Sequence, residues 1–293
     1  MLQTGPLVAL IGPTASGKSQ LGLELARSFD GEIICVDTGS FYRQMDIGTA
    51  KPSRFDQAEL PHHMLDIIDA DTRLSVQKFV QLTKPILTDI WSRKKPIFLV
   101  GGSGLYIDAL LFDYQFRTEK QAASQTANMD LEELQTAAQQ AYPAEYRQVD
   151  IKNRRRLEQL LRRGPAHTTD RSELAYNALL IGLSPSRSEI TSQIKQRTAA
   201  MLQAGFRDEV EALLTNYGPD CPGLQITGYA QMSSMILGQS HESDLEDRIN
   251  QATLQLAKKQ LTWFRRNPAI HWLEAPSDAK ALVTTYLDDW SLQ

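Results

Sequence analysis

Short runs of aliphatic and β-branched residues alternate with helix-period stretches through the first hundred positions of the chain. Leu7 to Ile11 is apolar at every position, the mark of a strand buried on both faces. A helix is predicted from Gly17 to about Phe29 and a second strand from Glu32 to Asp37. Val76, Phe79, Val80, Leu87, Ile90 and Trp91 mark another helical face, after which Ile97 to Val100 forms a further buried strand ending at Gly101. Strands separated by helices in this way predict a parallel sheet, because parallel neighbours need a crossover.

Between about Tyr114 and Tyr176 the pattern turns polar, helical and strand-free, with Asp130 and Pro143 placed to start helices. The expectation is an α/β core in two parts, 1–113 and 177–293, divided by an all-helical insertion at 114–176. Ala178 to Leu183 restores the strand pattern, and Ser188 to Ala204 and Asp208 to Leu214 read as helices interrupted at Gly205. Asp244 is placed to cap a last long helix reaching about Phe264, and Ile270 to Leu273 suggests a closing strand. The final Asp-rich and Ser-rich residues read as a solvated end. No internal repeat or low-complexity tail is visible.

Composition narrows the class. A chain of 293 residues, 42% hydrophobic and 23% charged, can bury a sizeable core in one large or two modest domains. No window approaches the roughly 20 apolar residues that cross a bilayer, and the first apolar run lacks a basic lead-in, so a cytoplasmic protein with no membrane partner is expected. Cys35 and Cys221 have neither disulfide-framework nor zinc spacing. The net charge of -4 argues against a protein that coats nucleic acid indiscriminately, but leaves room for a local basic surface.

The chemistry begins at Gly12-Pro13-Thr14-Ala15-Ser16-Gly17-Lys18-Ser19, which fits GxxxxGK[ST] directly between a strand and a helix. Glycines let the backbone curl so that successive amides point at phosphate oxygens; the helix N-terminus adds positive potential, and Lys18 a mobile charge. Ser19 can hold a magnesium ion. Such a P-loop recognises oxygens and not what carries them, so a nucleoside triphosphate and another phosphate ester both remain open.

Asp37-Thr38-Gly39-Ser40-Phe41-Tyr42, then Met45-Asp46-Ile47-Gly48-Thr49-Ala50-Lys51-Pro52, with the loop spelled GPTASGKS, resembles the bacterial tRNA dimethylallyltransferase (tRNA isopentenyltransferase) family. The resemblance continues through Pro61 to Ile67, Val100 to Tyr106, Gln225 to Tyr229 and Ala257 to Arg266, and so spans nearly the whole chain. It implies a P-loop NTPase-like parallel sheet flanked by helices. It also implies transfer of a dimethylallyl group from its diphosphate to the exocyclic amine of the adenosine 3′ to the anticodon. The P-loop would then bind a departing diphosphate, with Gly12, Thr14, Ala15, Ser16, Gly17, Lys18 and Ser19 around it.

Asp37, at the carboxyl end of a buried strand, could orient an amine and accept its proton, or hold a magnesium-bound water. The resemblance points to the base. Ser103 stands where the family usually has threonine, whose hydroxyl is taken to bond the oxygen linking carbon to phosphorus. Thr14, Asp37, Ser40, Lys258 and Gln260 fall on matching substrate-side positions. His63 beside His62 reads as packed or capping, and Asp46 and Lys51 are kept outside the catalytic set.

For the RNA partner, Lys152, Arg154, Arg155, Arg156, Arg162 and Arg163 surround a single Glu158 on one helix, a stripe suited either to the anticodon stem-loop or to solvent alone. Lys258, Lys259, Arg265 and Arg266 form a second cluster beside Trp263 and Phe264, aromatics as suited to the core as to stacking. The resemblance implies a monomer with no obligate protein partner. It breaks at Ala230 and Leu254, where the family commonly has basic residues, and around Gln159-Leu160-Leu161-Arg162; neighbouring basic residues are expected to substitute. The rivals are an adenylate isopentenyltransferase, a small-molecule P-loop kinase and a catalytically weakened RNA-binding paralogue.

Overall fold

The computed structural model describes residues 5–114, 126, 129–147, 149–163, 174–273 and 277–291. The chain opens with β1 (Leu7–Ile11), α1 (Lys18–Ser28), β2 (Glu32–Val36), α2 (Arg54–Glu59), β3 (His62–His63), α3 (Val76–Ser92), β4 (Ile97–Gly101) and α4 (Gly104–Leu111). There follow α5 (Leu131–Ala141), α6 (Pro143–Tyr146) and α7 (Arg154–Arg163). The last part holds β5 (Ala178–Leu183), α8 (Arg187–Gln203), α9 (Phe206–Tyr217), α10 (Tyr229–Ile236), α11 (Leu245–Phe264), β6 (His271–Leu273) and α12 (Asp278–Ser291). Two units separate: Met1–Phe112 with Leu174–Gln293, and Asp113–Glu173.

In the larger unit six strands form one parallel sheet in the order β3-β2-β4-β1-β5-β6. Every residue of β1, β2 and β4 is buried, so continuous aliphatic runs rather than alternation specify these strands. Val8, Leu10, Ile33, Phe98 and Ile181 pack with Leu21, Leu25 and Ala26 of α1. A second core, around Tyr42, Met45, Phe206, Val210, Tyr229 and Ile249, joins the segment after β2 to α9, α10 and α11. No helix among the described residues is long and apolar enough to cross a membrane.

The smaller unit is built on α5 and α7. Asp130 caps α5 as its side chain suggests, its carboxylate accepting from the Glu133 amide at 2.9 Å while Glu133 accepts from the Asp130 amide at 2.8 Å. Leu134 and Ala138 meet Leu157 and Leu160 in a small buried cluster.

Three expectations need correction. The terminal residues are not a solvated end: they form α12, whose Ala279 and Val283 are fully buried against the sheet. Ala279, Val283, Tyr286 and Leu287 keep helical spacing between the polar residues, so the apolar stripe outweighs the local polarity. The Tyr286 hydroxyl accepts from the Leu7 amide at 3.0 Å and donates to the Asn177 carbonyl at 2.7 Å, fastening α12 across the starts of β1 and β5. Asp244 makes no side-chain cap, because a 3-10 turn at Glu242–Asp244 leads into α11 and leaves Asp244 with helical backbone angles. Helix α9 starts at Phe206 and runs to Tyr217, longer than predicted, since fully buried Phe206 anchors its first turn.

Candidate active site

Sheet register places the chemistry. Val36 of β2 pairs with Gly101 of β4, which pairs with Ile11 of β1. The next residue on each strand is therefore Asp37, Gly102 and Gly12, so three chain segments distant in sequence leave adjacent carboxyl ends at one level. Ligands of open parallel sheets bind at such ends. Gly17, with φ +83, turns the loop from β1 into α1, a left-handed conformation that a side chain would strain.

A cavity of about 190 Å³ opens at this edge. Its polar lining includes Thr14, Asp37, Ser103, Arg197 and Gln260; Ile194, Met201, Ile226 and Ile249 supply an apolar wall. Gln260 of α11 joins two of the strand ends: its Oε1 accepts from the Thr14 amide at 2.8 Å and its Nε2 donates to the Gly102 carbonyl at 3.0 Å. Ser103 accepts from the Thr38 amide at 3.0 Å, which uses an oxygen lone pair and leaves the hydroxyl proton to donate elsewhere. Asp37 spends Oδ1 on the Gly39 amide at 3.1 Å, an Asx turn that aims the carboxylate.

The charges here are partly starved of water. Lys18 is buried, and its ammonium donates to the Pro13 carbonyl at 3.1 Å. Burial lowers its pKa, the charge of Asp37 pushes it back up, Arg197 pushes it down, and the net displacement is downward. Arg197 shows the same balance: burial lowers its pKa, while Asp37 and Tyr229 oppose. Two cations share one nearby carboxylate, so a multivalent anion would relieve both. Arg197 donates to the Thr14 hydroxyl at 3.2 Å and to the Gly48 carbonyl at 3.3 Å. Arg197 was not among the predicted site residues; its signal was a charged position between Ile194 and Met201 on the buried face of α8.

Of the predicted loop residues, Thr14 lines the cavity itself. The Ser16 hydroxyl is buried without a hydrogen-bond partner among the described residues, and Ala15 takes a left-handed φ of 60. Ser40 is buried but does not line the cavity, and its carbonyl instead accepts from the Asp66 amide at 3.2 Å. Lys258 and Lys259 are exposed on α11, away from the lining. Phe264 belongs to the core, whereas Trp263 donates to Asp108 at 2.8 Å and carries the Arg266 guanidinium over its ring at 5.3 Å. Arg154, Arg155 and Arg156 are exposed on α7 in the smaller unit, Arg154 paired with Glu158 at 2.8 Å. The side chains of Arg162 and Arg163 lie outside the described residues.

His62 bonds the Leu60 carbonyl and His63 bonds Glu32, both at the sheet edge. At Leu254 the side chain packs with Ala15, Ile190, Ile194 and Leu261 between α8 and α11. Positive charge on that side of the cavity comes from Arg197 instead. For a magnesium ion, the described residues contain no cluster of three acidic, histidine or cysteine ligands, but Ser19 is exposed in the first turn of α1. That donor set fits an ion held mainly by substrate oxygens and water, as magnesium prefers.

The IPP transferase family model matches residues 40–267. A curated tRNA dimethylallyltransferase from Exiguobacterium is 36% identical over 282 residues, covering 92% of this chain and 90% of its own. The crystal structure of the full-length tRNA isopentenylpyrophosphate transferase from Bacillus halodurans superposes with a TM-score of 0.76 at 28% identity, covering 98% of both chains. A eukaryotic dimethylallyltransferase captured acting on tRNA shares the fold, with a TM-score of 0.86 at 19% identity over 98% of this chain and 80% of its own. The family match begins just after Asp37 and takes in Ser103, Arg197 and Gln260, three of the polar residues that line the cavity, and on that ground the protein belongs to the IPP transferase family.

Proposed function

We propose that this chain transfers the dimethylallyl group of dimethylallyl diphosphate to N6 of the adenosine 3′ to the anticodon in tRNA, in the cytoplasm. The new bond joins the adenine nitrogen to the allylic carbon; the bond between that carbon and the diphosphate oxygen breaks, and diphosphate leaves. Asp37 takes the proton that the amine loses. The observation that carries this reading is the convergence of a phosphate loop, a carboxylate and a hydroxyl from three adjacent strand ends on one cavity.

The residues divide the work by charge. Loop amides, Lys18 and Arg197 stabilise the negative charge that grows on the diphosphate, and they are oriented before reaction begins. With its oxygen already bonded to Thr38, Ser103 donates its proton to the bridging oxygen. Asp37 has its second carboxylate oxygen left for the amine, because Gly39 occupies the first. Ile194, Met201, Ile226 and Ile249 shield the electron-poor allyl carbon from water. Magnesium, when bound at Ser19 and the diphosphate, adds Lewis-acid stabilisation of the leaving group.

An adenine stacked in an anticodon loop cannot reach a carboxylate at the end of a buried strand, so the base must be drawn out, at a cost of a few kcal/mol. The basic face of α7 supplies sequence-independent grip on the anticodon stem. The test offers magnesium and labelled dimethylallyl diphosphate to the protein with unmodified tRNA, with AMP, or with neither. Label should enter tRNA alone, and Asp37→Ala should slow transfer by about 10²- to 10⁴-fold, the range of a lost general base. Label in AMP, or phosphate transfer from ATP, would overturn the assignment.

A further inference from the structure

One wall of the cavity is a loop whose amides are held by the protein's own carboxylate. Gly48 and Thr49 line the cavity, and the amides of residues 46–48 converge on Glu209 of α9. Asp46 and Ile47 donate to Glu209 Oε2, each at 2.8 Å, and Gly48 donates to Oε1 at 3.2 Å. The Tyr229 hydroxyl donates to the same Oε1 at 2.5 Å. Successive amides turned toward one point form an anion nest, and here a side chain fills it. Burial and the negative charge of Glu209 push the Tyr229 pKa up, so its hydroxyl stays a donor. The rings of Phe206 and Tyr229, perpendicular at 4.9 Å, close over Gly48, where an added Cβ would come within 2.4 Å of each.

The opposite edge of this clamped loop meets the phosphate site. The Gly48 carbonyl accepts from Arg197, whose other terminal nitrogen reaches the Thr14 hydroxyl. These two bonds, at 3.2 and 3.3 Å, are the only hydrogen bonds of the guanidinium among the described residues. The attractive charge of Asp37 acts on the same guanidinium and competes for it.

We propose that Glu209 is a positioning residue for transfer: by holding the Gly48 carbonyl in place it aims Arg197 at the donor's diphosphate and away from Asp37, a role that rests on the diphosphate reading of the site. A residue that merely braced α9 would affect donor and acceptor alike. One that acts through Arg197 affects the donor alone.

The test compares wild type, Glu209→Ala, Glu209→Gln, Arg197→Ala and the double variant Glu209→Gln with Arg197→Ala. Glu209→Ala should raise the KM for dimethylallyl diphosphate about tenfold while the KM for tRNA stays within about twofold. Glu209→Gln keeps one acceptor oxygen for the nest and should fall between Ala and wild type. Because both residues serve one contact, the double variant should be no worse than Arg197→Ala alone. Calorimetry with inorganic pyrophosphate and no acceptor should show the same order of affinities. An unchanged donor KM in Glu209→Gln, an equal rise in both KM values, or losses that multiply in the double variant would each overturn the proposal. Should Glu209→Ala fail to fold, Glu209→Gln and Tyr229→Phe decide by the same criteria. A wild-type protein that neither binds pyrophosphate nor prenylates tRNA would instead sink the donor reading, and this role with it.

Discussion

At the scale of single residues, the site is governed by which lone pairs and protons are already committed. Ser103 accepts from the Thr38 amide through one lone pair, which leaves its hydroxyl proton free to donate. Replacing it with alanine removes that donor and strands the Thr38 amide. Ser103→Ala should lower kcat for transfer about 10- to 100-fold, with the donor KM changing far less, and Ser103→Thr should restore activity because the hydroxyl returns. Equal activity of the alanine and threonine variants in a steady-state assay would remove Ser103 from the reaction. The phosphate-loop motif spelled out Thr14 and Lys18, and the end of the second strand with the family-like segment after it marked Asp37. Arg197 and Glu209 carried no such label, since each acquires its partners only when α8, α9 and the loop after β2 meet.

At the scale of elements, the sheet edge is tied down by a buried carboxylate. Strand β3 is two residues long, and His63 in it bonds Glu32 at 2.8 Å while Arg93 at the end of α3 pairs with the same side chain. Burial pushes the Glu32 pKa up, but the hydrogen bonds from Arg93 and His63 outweigh it, and the net displacement is below the ordinary value of 4.5. A carboxylate with a depressed folded-state pKa contributes stability above its unfolded value and loses it as pH falls through the folded one. Unfolding midpoints in urea should therefore drop as pH falls below 4.5, and Glu32→Gln should be less stable at neutral pH and show a shallower acid limb. An identical acid limb in Glu32→Gln would assign that dependence to other groups. The long buried strands and amphipathic α3 were legible because one period of side chains decides them. Strand β3 was not, since two polar residues hold no period and pair with Ile33 and Ile34 of β2 only in the folded sheet. Helix α12 carried its stripe in plain view, but acidic and hydroxylic neighbours masked it.

At the scale of the molecule, a chain of net charge -4 must concentrate its positive charge to bind RNA. Arg154, Arg155 and Arg156 are exposed together, while Leu157 and Leu160 on the other face of α7 hold it to α5. Reversing all three arginines to glutamate should raise the KM for tRNA at least about tenfold and lower the salt slope of tRNA binding by about one unit per lost phosphate contact. The donor KM should stay unchanged. Filter binding across a salt series decides it, and an unaltered slope would return the stripe to solvent.

The long buried strands, the helices between them and the phosphate loop were written in the chain, because hydrophobic period and glycine placement act over a few residues and need no distant partner. So was the strip of basic residues on α7. The register that levels Gly12, Gly102 and Asp37 belongs to the tertiary structure, as do the bridge of Gln260 and the clamp of Glu209. Each depends on hydrogen bonds between residues far apart in sequence, and no local pattern encodes which amide a buried side chain will meet.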